Sequence, residues 1–237
     1  MKQLLSFTLI TLLLAISSCS SAQTRRATDQ FEVSDFTAIE SSVVANIHIR
    51  QSSGTSVTAE GSEELLNALD IRMENGKLVL DMEESFLKRF RKRSENLVIS
   101  ISTPNLKRID SEGVGNILID GTFTSPELII ESEGVGNITA ENLRSQKVII
   151  NSEGVGNITL GGTADSVEIS SEGVGNVDAE RLKAKSAKVS SQGVGNVSCY
   201  ASEYLKVESE SIGNVRYSGN PAKKELSKNG IGKIKAE

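Results

Sequence analysis

Apolar residues recur in this chain at fixed distances from a short glycine-rich motif. The second glycine of the motif stands at positions 115, 136, 156, 175, 195, 213 and 232, so the steps are 21, 20, 19, 20, 18 and 19 residues. The position six residues before it is always aliphatic: Ile109, Ile130, Ile150, Ile169, Val189, Val207 and Leu226. So is the position two residues after it: Ile117, Ile138, Ile158, Val177, Val197, Val215 and Ile234. The chain is therefore built on an internal repeat of about 20 residues.

Each repeat predicts two strands that meet at a sharp corner. Beyond the corner, apolar and polar positions alternate with the period of two that is typical of a half-buried strand. A repeat of this length cannot bury its apolar face alone, so successive copies must stack on one another. The inward positions are rich in β-branched residues and show no helical period, which favours an all-β fold. The sequence predicts a right-handed β-helix, or β-solenoid, with rungs about 4.8 Å apart.

The corner carries the sequence Gly-Val-Gly-Asn or a close variant of it. Glycine reaches backbone conformations and close approaches that other residues cannot, and asparagine tolerates such corners better than most side chains. Asparagines stacked at one position can donate and accept hydrogen bonds along the solenoid axis. The sequence predicts a structural ladder at Asn116, Asn137, Asn157, Asn176, Asn196 and Asn214. A ligand site at these asparagines is the alternative interpretation.

A column of glutamates precedes the corner: Glu112, Glu133, Glu153 and Glu172. In register, neighbouring carboxylates would stand about 5 Å apart and repel each other, so they must be solvated, splayed or bridged by cations. A solvent-facing acidic stripe is the simpler interpretation, and a ligand-binding or calcium-binding stripe is the alternative. The glycine-aspartate nonapeptide that binds calcium in other β-rolls is absent from the sequence. Apart from such a calcium ion, no cofactor is predicted.

Residues 1–18 have the layout of a secretory signal peptide, with Lys2 followed by an apolar run from Leu4 to Ile16. As a helix this run would be about 20 Å long, too short to span a hydrocarbon core of roughly 30 Å. An apolar residue and two serines precede Cys19, which resembles the lipobox of bacterial lipoproteins. Cys19 is therefore the predicted lipidation site, and residues 19–30 are predicted to be a polar tether.

The rest of the chain divides into two parts that differ in regularity. Residues 108–237 hold the regular repeats and are predicted to form the solenoid proper, whereas residues 31–107 are predicted to form irregular N-terminal β coils. Together, residues 31–237 are expected to make one structural domain. The segments 45–49 and 76–80 both echo the strand that follows the first regular corner, and Glu63 to Ala68 is predicted to be a helical turn.

A basic segment interrupts the front half of the chain. It concentrates positive charge in a protein whose formal net charge is −5, and two phenylalanines and a leucine lie among the charges. Its basic residues are Lys88, Arg89, Arg91, Lys92 and Arg93. A solvated loop that covers a sheet edge is one interpretation, and contact with anionic lipid or an acidic glycan is the other. The acidic balance of the whole chain argues against a general nucleic-acid binder.

Candidate catalytic groups are few. His48 is the sole histidine, and its apolar neighbours on both sides place it on the outer face of a strand. Cys199 shares an inward column with Ala140 and Ala179, which predicts a small core residue. No catalytic residue and no His/Cys metal cluster is predicted. Because β-helices also support carbohydrate-active enzymes that need only acidic and basic side chains, an enzyme acting on acidic polysaccharide is an alternative.

An ordered set of motifs covers residues 31–233. It comprises the start at 31–39, the segment 46–51, Asn75-Gly76-Lys77-Leu78, Thr103-Pro104-Asn105-Leu106 and then the Gly-x-Gly-Asn repeats. With the lipoprotein signal, this set resembles the family named putative auto-transporter adhesin, head GIN domain, which is common in Bacteroidetes. The resemblance implies an exported β-helical domain with an adhesin-like role.

The sequence thus predicts a non-enzymatic, lipid-anchored binding module of the cell envelope. Its expected partners are the membrane, through the anchor, and a glycan or a surface protein. An outer-membrane lipoprotein is expected, and the absence of an acidic cluster directly after Cys19 favours the periplasmic side. The alternatives are the carbohydrate-active enzyme and a purely structural envelope protein.

Overall fold

The computed structural model describes residues 26–83 and 96–237. Within these ranges the strands hydrogen-bond into one 17-stranded sheet that winds into a β-solenoid. The predicted all-β solenoid of about 20-residue rungs is confirmed by the parallel, in-register pairing of successive repeats. Cys19 and the basic segment Lys88–Arg93 lie outside the described residues. No helix in the described ranges is long and apolar enough to cross a membrane.

The strands are, in chain order, β1 (Arg26–Phe31), β2 (Ala38–Ser41), β3 (Asn46–Gln51), β4 (Ser56–Ser62), β5 (Leu69–Glu74), β6 (Lys77–Met82), β7 (Val98–Thr103), β8 (Arg108–Ser111), β9 (Ile117–Ser132), β10 (Ile138–Ser152), β11 (Ile158–Ser171), β12 (Val177–Ser191), β13 (Val197–Tyr200), β14 (Tyr204–Ser209), β15 (Val215–Ser218), β16 (Lys223–Lys228) and β17 (Ile234–Ala236). A short helix, α1 (Glu63–Asn67), follows β4 and matches the predicted helical turn. The Ser62 side chain caps α1 by accepting a hydrogen bond from the Leu65 backbone N–H.

The long strands β9 to β12 form the regular part of the solenoid. They pair in parallel and in register, so that Ile138 lies between Ile117 and Ile158. The register of each pairing shifts by one residue near the middle of the strand, as between Ala140 and Leu143 in β10. These register shifts compensate for the different lengths of successive repeats, so the corners stay aligned.

Aliphatic side chains fill the inside of the solenoid. The predicted inward columns are buried in a single hydrophobic cluster as far as Val207 and Val215. In the last rung the same face opens to solvent, and Leu226 is 46% exposed. Cys199 is a core residue, as predicted, and burial raises the pKa of its thiol to about 12.

The front of the solenoid does not follow chain order. β2 and β3 stack directly against β8 and β9, although 70 residues separate Asn46 from Asn116. β6 and β7, which come between them in the sequence, stack on the other side of β2 and β3. The front half therefore shares the rung geometry of the regular part, with a different connectivity.

The two sequence echoes occupy different strands of a rung. Residues 45–49 lie in register with the strand after the corner, as expected. Leu78 pairs instead with Ile39, which pairs with Ile109, so residues 76–80 belong to the strand before the corner. The predicted correspondence of the second echo is wrong because both strands of a rung have the same period-two aliphatic pattern.

Antiparallel strands close the front end of the solenoid. β4 pairs with β7, and β1 pairs with β4 along its whole length. The sequence places residues 26–30 in the polar tether 19–30, but the structure places them in β1. As an edge strand with mostly exposed side chains, β1 carries no apolar pattern that could reveal it.

Candidate binding surface

Glycine holds the corner of each rung. The second glycine of the regular motifs has a positive φ, from 141° at Gly115 to 156° at Gly156. A Cβ atom at Gly136 would lie 1.7 Å from the carbonyl oxygen of Gly115. A Cβ atom at the first glycine of the same motif, Gly134, would lie 2.1 Å from the carbonyl oxygen of Gly113. Backbone therefore stacks directly on backbone at the corner, which a residue with a Cβ atom does not permit.

Three columns of side chains project from these corners. Exposed side chains alternate with glycines, so each regular rung presents an acidic or amide residue, a valine and an asparagine to solvent. Parallel bridges between the valines of successive rungs keep the columns in register. We call this surface the corner face. It consists of Glu112, Glu133, Glu153 and Glu172, of Val114, Val135, Val155, Val174 and Val194, and of Asn116, Asn137, Asn157, Asn176, Asn196 and Asn214.

The asparagines of the corner face hydrogen-bond to one another as a ladder. The Nδ2 atom of each donates to the Oδ1 atom of the asparagine one rung earlier, over 2.9 to 3.2 Å. The ladder starts one rung before the predicted set, because Asn46 Oδ1 accepts from Asn116 Nδ2 at 3.1 Å. The echo of the corner at residues 45–49 is the sequence signal for this extra member.

From Asn46 to Asn196, the ladder uses both acceptor sites of each Oδ1 atom but leaves donor hydrogens free. Each Oδ1 that accepts a neighbour's Nδ2 also accepts that neighbour's backbone N–H, as Asn137 Oδ1 does from Asn157 over 3.1 Å. Two hydrogen bonds occupy both lone pairs of an amide oxygen, whereas each Nδ2 has given only one of its two hydrogens to the ladder. Because Asn116 to Asn196 are exposed, the second hydrogen of each faces solvent.

The valine column is a feature to which sequence reasoning assigns no role. From Val114 to Val194 the five valines are 48% to 54% exposed, and Ile212 extends the column at 63%. Aliphatic residues with no place in the core are unusual on such a regular surface. The sequence signal is an aliphatic residue set between two glycines in every regular motif.

The glutamate column is solvent-facing and held in register by the backbone. The backbone N–H groups of Glu133 and Glu153 donate to the Ser111 and Ser132 carbonyl oxygens, at 2.9 and 2.8 Å. Ser170 Oγ donates to Glu172 Oε1 at 3.4 Å. Within residues 26–83 and 96–237, no three His, Cys, Asp or Glu side chains converge as metal ligands.

An open groove of about 740 Å³, which we call the asparagine groove, runs beside the asparagine column. Asn46, Asn116, Asn137 and Asn157 line one wall. The other wall is the outward face of the strands that follow the corner and includes His48, Leu118, Thr139 and Thr159. The groove thus spans four consecutive rungs, and its volume is that of an ordinary ligand site.

A second face of the solenoid is occupied by its own ion pairs. Glu168 lies 3.3 Å from Lys147 Nζ and 3.4 Å from Lys188 Nζ. Burial acts to raise the pKa of Glu168, but the hydrogen bonds and charges of the two lysines outweigh it, so the pKa is lowered. Because these charges satisfy each other, the corner face and its groove are the better candidates for ligand contact.

The comparisons with known proteins agree with this architecture. The family described as "Putative auto-transporter adhesin, head GIN domain" matches residues 35–221, so the chain belongs to that family. No curated protein matches the sequence.

Solved structures show the same fold. A crystal structure described as a putative adhesin from Bacteroides fragilis is 34% identical, with a TM-score of 0.85, and the match covers 90% of this chain and 97% of that one. A "putative adhesin" from Parabacteroides distasonis is 18% identical, with a TM-score of 0.63 and coverage of 91% and 98%. A "putative lipid binding protein" from the same species is 20% identical, with a TM-score of 0.64 and coverage of 90% and 97%. The last two likenesses establish the fold alone.

Proposed function

We propose that this protein is a non-enzymatic, adhesin-like binding module, anchored in the cell envelope through a lipid on Cys19. Its family and its 34%-identical neighbour are both described with the words "putative" and "adhesin", which supports an adhesin-like role. The corner face is the proposed binding surface. An outer-membrane lipoprotein is the proposed location, with the periplasmic side favoured.

The observation that carries the proposal is the exposed valine column. Burying each valine in the solenoid core would stabilise the fold by roughly 1.5 to 3 kcal/mol, yet five successive rungs leave it about half exposed. Ile212 and Ile231, which are 63% and 82% exposed, continue the column, so that from Val114 to Ile231 it extends over six rung steps, or about 29 Å. Polar columns flank it on both sides, which is typical of an interaction surface.

The two alternatives differ from the proposal in their expected behaviour. An enzyme on acidic polysaccharide would shorten its substrate, and Glu153→Ala would abolish that turnover. A purely structural envelope protein would bind none of the ligands below. Proposed contacts of the Lys88–Arg93 segment with anionic lipid or acidic glycan would appear as binding that salt weakens strongly.

Adhesion of lipid vesicles that carry the protein tests the anchored binding module, because vesicles display it whichever side of the membrane it faces in the cell. Vesicles reconstituted with the full-length protein should attach to surfaces coated with mucin, matrix proteins or bacterial envelope fractions more than vesicles without it. Vesicles mixed with the Cys19→Ala protein should show no such gain, because the unanchored protein cannot link the vesicle to the surface. Equal attachment by all three vesicle preparations on every coating would contradict the proposal.

Thiol counting tests the anchor separately. In the native full-length protein no thiol should react with the aromatic disulfide dithiobis(nitrobenzoate), since lipid blocks Cys19 and burial keeps Cys199 protonated and inaccessible. After unfolding, one thiol per chain should react, and none in Cys199→Ser. Two reactive thiols in the unfolded protein would show that Cys19 carries no lipid.

A further inference from the structure

We propose that the asparagine groove binds a neutral, unbranched polysaccharide chain that lies parallel to the solenoid axis. This inference rests on the proposed binding function and adds the chemical class of the ligand. It follows from the hydrogen-bonding capacity, the charge and the spacing of the groove.

The asparagine wall offers a row of unused donors. The ladder saturates each Oδ1 atom and leaves one N–H hydrogen on each of Asn116, Asn137 and Asn157. These donors repeat once per rung, about every 4.8 Å. A ligand that matches them must present an acceptor oxygen at the same interval along its length.

The opposite wall supplies groups that both donate and accept. The hydroxyls of Thr139 and Thr159 face the groove and hydrogen-bond to no other residue in the described ranges. They lie in register with each other across β10 and β11. Sugar hydroxyls need a partner for their hydrogen as well as for their lone pairs, and a threonine hydroxyl can serve either way.

The charge of the groove selects an uncharged ligand. Among the described residues, its lining contains no Asp, Glu, Lys or Arg side chain. The glutamate column of the corner face runs along the same rungs and would repel an acidic polymer. A neutral polysaccharide meets no such penalty, whereas a polyanion would find no cation among the described lining residues to offset it.

The spacing disfavours an extended peptide. A strand advances by about 3.4 Å per residue, so its carbonyl oxygens would fall out of step with donors about 4.8 Å apart. Addition of a strand also needs a free sheet edge. Here the backbone of neighbouring rungs is already paired, as between Ile138 N–H and Asn157 carbonyl oxygen at 2.9 Å. One pyranose unit in an extended chain has a length close to the rung spacing.

The test is affinity electrophoresis of the full-length protein, purified in detergent, through gels that contain hydroxyethyl cellulose, a β-1,3-glucan, a mannan or polygalacturonate. The groove variant is Thr139→Val with Thr159→Val, which removes two hydroxyls and keeps the β-branched shape. The matched control is Thr124→Val with Thr163→Val, at exposed positions of β9 and β11 outside the groove lining. Melting temperatures should agree for all three proteins.

We expect at least one neutral polymer to retard the native protein and the control, with a dissociation constant weakened about tenfold in the groove variant. Equal retardation of the groove variant and the control would overturn the groove while leaving a glycan-binding module in place. Retardation by polygalacturonate alone would overturn the neutral ligand. Failure in all four gels overturns this inference, and only failure in the vesicle-attachment assay as well overturns the proposed function.

Discussion

Replacement of Gly175 by alanine is expected to lower the free energy of unfolding by roughly 3–5 kcal/mol, or to prevent folding. Gly175 has a φ of 153°, and an added Cβ atom would lie 1.7 Å from the carbonyl oxygen of Gly156 in the rung below. The corner cannot move away from the rung below to relieve this overlap, because backbone hydrogen bonds hold it on both sides. Gly175 N–H donates to the Val194 carbonyl oxygen and Val174 N–H donates to the Gly154 carbonyl oxygen, each over 3.0 Å. Strain and overlap therefore add at one position.

Two other glycines provide graded controls. Gly121 has a φ of 72°, and no atom of the described residues lies within 4 Å of the place that an added methyl group would take, so Gly121→Ala should cost only the backbone strain, about 1 kcal/mol. Gly54 has no positive φ and, in the described part of the chain, no neighbour within 4 Å of an added methyl group, so Gly54→Ala should be close to neutral. Urea denaturation measures the free energy of unfolding of the three variants and therefore their order of stability. If Gly175→Ala were no less stable than Gly54→Ala, the close stacking of the corners would be wrong.

Replacement of Leu160 by alanine is expected to destabilise the protein by about 3–5 kcal/mol. Leu160 is fully buried and lies four residues after the second glycine of its motif. The residues at the same position in the two neighbouring repeats are Ala140 and Ala179. Neither alanine can reach into the space that a lost isobutyl group would leave. The cavity should therefore stay open, so the loss of stability should lie near the upper end of the range for replacing a buried leucine by alanine.

The adjacent residue supplies the control for Leu160. Thr159 lies on the same strand with its side chain on the opposite, outward face, so Thr159→Ala should change the stability by less than about 1 kcal/mol. The same urea titration distinguishes the two variants. Similar losses at both positions would contradict the period-two alternation on which the solenoid depends.

The regular half of the fold follows from the sequence because three local signals agree. The glycines determine the corners, and the aliphatic residues six positions before and two positions after the second glycine determine the two flanking strands. The nearly constant distance between successive motifs determines how the repeats stack. These signals also place the asparagine and glutamate columns on one edge of the solenoid. A repeat whose members stack on their nearest neighbours needs no long-range information.

The front half could not be predicted in the same way. Asn46 stacks on Asn116 across 70 residues, and no local pattern records that β6 and β7 fold back to the far side of β2 and β3. β1 is an edge strand joined to β4 by backbone hydrogen bonds, and Ala27 and Phe31 are its side chains that pack against the core, too few to form an apolar pattern. The exposure of the valines could not be predicted, because apolar residues are normally expected to be buried. Their exposure becomes visible only when the corners are stacked in the structure.

Equilibrium binding of a valine variant tests most directly whether the corner face is a binding surface. The variant Val135→Thr, Val155→Thr and Val174→Thr keeps the β-branched shape and replaces three exposed methyl groups by hydroxyls, and the triple isoleucine variant is the control. On the coating that retains the native protein, we predict binding weakened by at least about tenfold in the threonine variant and preserved in the isoleucine variant. Equal binding by all three proteins, at equal stability, would contradict the assignment of the corner face.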